Sequence, residues 1–121
     1  MNHLLVVAIR YENERPNNLI QRIVGLFDKL NVVDLNNDDF TTELIEPNGV
    51  KSFAINLSYK TKDFKTAIFE TLTKANRLGQ HWTIQGPIKA KRNLFIMNLD
   101  KNEKNNFPIG IVGYRIMLTS E

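Results

Sequence analysis

Two histidines, His3 and His81, are the imidazoles of the chain, and there is no cysteine. Neither histidine has a partner at the H-x-x-x-H spacing that would put two ring nitrogens on one metal. Each falls in or beside an extended segment, and both are expected to be structural. The adjacent pair Asp38-Asp39 has the chemistry to hold a cation or supply a base. It sits in an asparagine-rich run, which is the composition of a solvated loop. Glu43 and Glu46 lie three apart on an expected strand, so they face opposite sides and make a poor acid–base pair. Gly110-x-x-Gly113 lacks the following helix that a phosphate loop requires, and it is expected to mark a bulge or a close backbone approach. Without cysteine, thiol nucleophiles, thiolate metal sites and disulfides are excluded. We therefore assign no catalytic residue, no metal and no cofactor, and expect a protein that is not an enzyme.

Binding signals are better. Lys89, Lys91 and Arg92 form a basic cluster between two expected strands, and Lys60, Lys62 and Lys65 form another at the start of an expected helix. Phosphate contacts by such clusters give salt-dependent nucleic-acid binding. Tyr11, Tyr59 and Trp82 sit near strand ends, where rings can stack on bases. The net charge of +3 and pI near 9.3 lean toward anionic partners without choosing one. The glycine, basic and aromatic signature of RNA-recognition sheets is missing.

The elements that would position these residues follow from periodicity. Residues 4–9 are apolar on both alternating sides, which marks a central strand covered on both faces. Pro16 suits a first helical turn. Leu19, Ile23, Leu26, Phe27 and Leu30 then repeat with helical period, with Gly25 expected to allow close approach to a sheet. Residues 40–46 alternate imperfectly, Pro47-Asn48-Gly49 is a turn, and residues 52–60 alternate cleanly, which together predict a hairpin. Residues 61–78 form a second helix, capped by Thr61, with Phe64, Ala67, Ile68, Thr71, Leu72 and Ala75 as its apolar stripe. A short strand over residues 81–85 stops at Gly86-Pro87. Residues 94–99 and 109–118 are two more strands.

That order predicts an α+β fold: a ferredoxin-like βαββαβ antiparallel sheet with two helices on one face and an added C-terminal β pair. The pair either extends the sheet or covers its open face. At 121 residues the chain fits one domain, with the ferredoxin-like core over 3–86 and the β extension over 90–121. No apolar run reaches the length of a membrane span or a signal segment, so no membrane association and a cytoplasmic address are expected.

One family resemblance rests on Glu14-Arg15-Pro16-Asn17-Asn18-Leu19, which follows an apolar strand and opens a helix. It resembles the Asp-Arg-Pro-Gly-x-Leu loop of ACT domains, ferredoxin-like regulatory modules that bind small ligands at dimer interfaces. Leu30-Asn31-Val32 falls where that family tends to have Gly-Ile-Asn-Ile. The resemblance covers at most residues 4–86 and implies ligand contacts at Asn17, Asn18 and Leu19. The family's loop glycine is an asparagine here, and asparagine also reaches the left-handed region.

Two helices cover only one face of such a sheet, so something must cover the other. The leading expectation is an interaction or regulatory module that partners itself as a homodimer, or another protein. Nucleic-acid binding and small-ligand sensing are the alternatives.

Overall fold

A computed structural model describes residues 1–12, 25, 32–34, 44–45, 49–89, 93–101, 107 and 110–120. Its elements in chain order are β1 (Asn2–Tyr11), β2 (Val32–Asp34), β3 (Leu44–Ile45), β4 (Lys51–Lys60), α1 (Phe64–Ala75), β5 (Thr83–Lys89), β6 (Asn93–Asp100) and β7 (Ile111–Ser120). One antiparallel sheet runs β2-β4-β1-β7-β6-β5, with the two-residue β3 also paired to β4.

This corrects the ferredoxin-like expectation. In that plan the strand after the second helix pairs with β1. Here the place beside β1 is taken by β7, and β5 lies at the far edge. The fold is mostly β, with one helix among the described residues. The expected helix over residues 19–30 lies outside the described residues except for Gly25, which is helical and exposed and where an added Cβ would meet no described atom within 4 Å.

The residues explain the arrangement. β1 lies between two long apolar strands, but the expected cover on both its faces is incomplete, since Leu4 on the face away from α1 is 39% exposed. β4 is one of the two strands, with Leu5 opposite Leu57 and Val7 opposite Ile55. β7 is the other, with Leu5 opposite Leu118 and Val7 opposite Ile116. β5 could not take either place, because it contains Gly86-Pro87, and a proline that lacks an N–H is tolerated at an edge and not in a central strand. The β5–β6 register shifts between Gln85 and Ile88 to accommodate this dipeptide. β5, β6 and β7 are successive antiparallel neighbours, so the C-terminal strands extend the sheet.

One face of the sheet is core. His3, Leu5, Val7, Ile9 and Tyr11 of β1 are buried on it, with Ile55 and Leu57, with Phe95, Met97 and Leu99, and with Tyr114, Ile116 and Leu118. α1 seats on this face through Ala67, Thr71 and Ala75, all fully buried, with Phe64, Ile68 and Leu72 flanking them. Its N-cap is Asp63 and not Thr61: the Asp63 carboxylate accepts from the Thr66 N–H at 2.8 Å. Phe107 packs edge-on against Tyr114, with ring centroids 5.3 Å apart, and Trp82 lies on the same tyrosine's side at 6.4 Å.

Candidate functional site

Where β4 turns into α1, His3 meets Thr61. The two side chains are 2.5 Å apart, Nε2 to Oγ1. The Thr61 hydroxyl donates to the Asp63 carbonyl at 2.6 Å, so the imidazole must supply the proton of its own bond from Nε2. Burial, and then the Met1 ammonium, hold His3 below the usual imidazole value against a smaller upward pull from Asp63. Phe64 lies against the ring at 6.2 Å. His3 thus ties the start of β1 to the turn that opens α1. His81, by contrast, is exposed on a residue with φ of 68°. Among the described residues, no three of His, Cys, Asp or Glu gather as a metal-holding group.

The second feature is the face of the sheet opposite α1. Strand registers align its side chains in rows. One row reads Asn56, Val6, Met117, Ile96 and Gln85; the next reads Ser58, Leu4, Thr119, Leu94 and Ile88. Their middles form an apolar patch in which Leu4 and Ile88 are 39% and 47% exposed and Val6, Met117 and Leu94 are half-buried. Two further rows are small or polar: Ala54, Ala8, Arg115, Asn98 and Thr83, then Ser52, Arg10, Gly113 and Asp100. Arg10 reaches Asp100 at 3.4 Å across Gly113. A Cβ on Gly113 would lie 3.0 Å from the Leu99 carbonyl and 3.4 Å from the Asp100 carboxylate, so only glycine leaves room for that pair. The register passes from Gly113 to Ile111 beside it and skips Val112, a bulge.

Of the two basic clusters, the described members fall at one end of the sheet. Lys60, Lys62 and Lys65 are exposed where β4 leads into α1. Lys89 ends β5 in a row that continues through Asn93, Ser120, His3 and Tyr59. Four strand spacings, about 19 Å, separate β4, which ends at Lys60, from β5, which ends at Lys89. Lys91 and Arg92 lie outside the described residues, as do Asn17, Asn18, Leu19, Asp38, Asp39, Glu43 and Glu46. Two of the three aromatic residues proposed to stack on bases have other work, and the side chain of the third, Tyr59, lies outside what is described. Tyr11 is fully buried, and Trp82 is half-buried and donates to the Gly79 carbonyl at 3.0 Å.

Sequence reading missed Phe69. It lies off the apolar stripe of α1 and is 70% exposed on the outer side of the helix. Its signal was available: a large apolar residue at a position where helical period calls for a polar one. Arg115, alone of its sign in its row on the open face, was also missed. No protein-family model, no curated protein and no solved structure matches the chain.

Proposed function

We propose that this chain is a non-catalytic interaction module that pairs with a second copy of itself through the open face of its sheet. The supporting observation is the apolar patch around Leu4, Val6, Met117, Leu94 and Ile88 on the face that α1 leaves uncovered. Contiguous apolar surface of a few hundred Å² on a folded chain marks a contact site. Five strands of this length offer roughly 600 Å² of face from strand spacing and rise, close to the ~800 Å² that each partner gives a standard interface. A face rather than an edge is the natural surface, because the free β5 edge is interrupted by Gly86-Pro87. Among the described residues, no helix is long and apolar enough to cross a membrane. A cytoplasmic address is part of the proposal and rests on the lack of cysteine. The small-ligand alternative depends on Asn17, Asn18 and Leu19, outside the described residues, and no observation favours it.

Light scattering on a sizing column tests the pairing. The expected mass is twice 14.0 kDa. Val6→Lys and Met117→Glu are each expected to give a folded species of single mass. A single-mass species for the unmodified chain at tens of micromolar would overturn the reading.

A further inference from the structure

We infer that the outer side of α1 binds single-stranded nucleic acid, with Phe69 as the base-stacking ring and Lys60, Lys62 and Lys65 as the phosphate contacts. Two independent observations carry this. The first is Phe69, 70% exposed in a helix whose other large apolar side chains pack on the core. Leaving a phenylalanine ring in water forgoes roughly 1.5–3 kcal/mol of burial, and a protruding aromatic offers a flat surface for a planar ligand. The second is charge. Residues 60–77 hold five lysines and arginines against two carboxylates, which accounts for the whole net charge of +3; the rest of the chain carries eleven of each sign.

The two coincide in space. Lys65 precedes Phe69 by one helical turn, about 6 Å along the axis, and is exposed, as are Lys62 and Lys60 beyond it toward the end of the sheet. Of the two acids in the segment, Asp63 is engaged as the N-cap of the helix. Glu70 is half-buried. An exposed ring beside a line of cations fits a ligand whose backbone is anionic and whose planar groups are free to stack. A single strand has both, whereas a duplex keeps its bases stacked inside. A lipid surface fits less well, since a lone phenylalanine is little apolar area to insert.

The test is fluorescence anisotropy with labelled poly(dT) and poly(U) at about 50 mM salt, using the full chain. Binding is expected, and log K should fall against log salt with a slope of about −2, from about −0.7 for each of three phosphates on a single strand. Phe69→Ala should weaken binding by about five-fold or more, the effect of losing one base stack, with an unchanged melting curve because the ring is exposed. Phe69→Trp should keep the affinity, and Lys62→Glu with Lys65→Glu should abolish it. No binding at low salt would overturn the inference. So would Phe69→Ala binding as tightly as the unmodified chain, equal affinity for duplex DNA or heparin, or a preference for vesicles of phosphatidylserine over either single strand.

Discussion

His3 shows how a titratable side chain becomes part of a frame. Its value is depressed on folding, so between the folded and unfolded values the unfolded chain binds the extra proton. The His3 contribution to stability is therefore complete above the unfolded value, near pH 6.5, and is lost as pH falls through the lowered folded value. Urea midpoints are expected to be lower at about pH 5.5 than at about pH 7.5, and His3→Gln should flatten that difference. Asp63 acts in the same direction in a more acidic window. The Thr66 N–H, and behind it Lys62 and Lys65, hold its carboxyl below the usual range, so its contribution is lost only as pH falls through that lowered value. Gly86 is the other residue with a sharp expectation. It sits at φ +101, and a Cβ there would lie 2.9 Å from the Leu94 carbonyl and 3.0 Å from the Ile88 nitrogen. Gly86→Ala should cost about 1–3 kcal/mol in urea denaturation; a neutral substitution would mean that β5 relaxes freely. The sequence reading placed His3 only in or beside an extended segment, and the structure buries it on the side of Leu5, Val7 and Ile9. Nothing local could show that Thr61 would meet its ring.

At the scale of elements, α1 lies close to the sheet because its contact residues are small. Ala67→Leu should destabilise by about 1–3 kcal/mol through overpacking. Leu72 flanks the contact and is half-buried, so Leu72→Ala should cost roughly 1–2 kcal/mol, less than a fully buried leucine. Thermal or denaturant unfolding checks both, and reversed magnitudes would mean that the helix is rotated. Period-two and helical patterns located β1, β4, β6, β7 and α1 within a few residues of their observed bounds. They misjudged β5, because Gly-Pro reads as a stop for a central strand and does not stop an edge strand. They also could not choose the neighbour of β1. Alternation says that a strand has a wet and a dry side, but not which of several distant strands will lie beside it.

For the whole molecule, two long neighbours enclose β1, while β5 borders solvent. Amide hydrogen exchange is expected to be slowest in β1 and β7, where opening requires global unfolding, and fastest in β5. Equal protection across the sheet would place the weak point elsewhere. The open face, read as a row-by-row map, became visible only with the strand order. Its residues, Leu4, Met117, Leu94 and Ile88, come from four separate strands. No window of sequence contains the patch. The basic end of the sheet was more legible, because Lys60, Lys62 and Lys65 are neighbours in the chain as well as in space.

The pairing of Val7 with Ile116 sets a timetable for the chain as it is made. Roughly 110 residues at about 5–20 per second put β7 on the order of 5–20 s behind β1. Through that interval the most apolar strand can be flanked by β4 on one side but has an unpaired ladder on the other. Completion of the sheet waits for β7, so ribosome-bound intermediates that carry β1 without it are natural clients for chaperones that shield exposed strand edges.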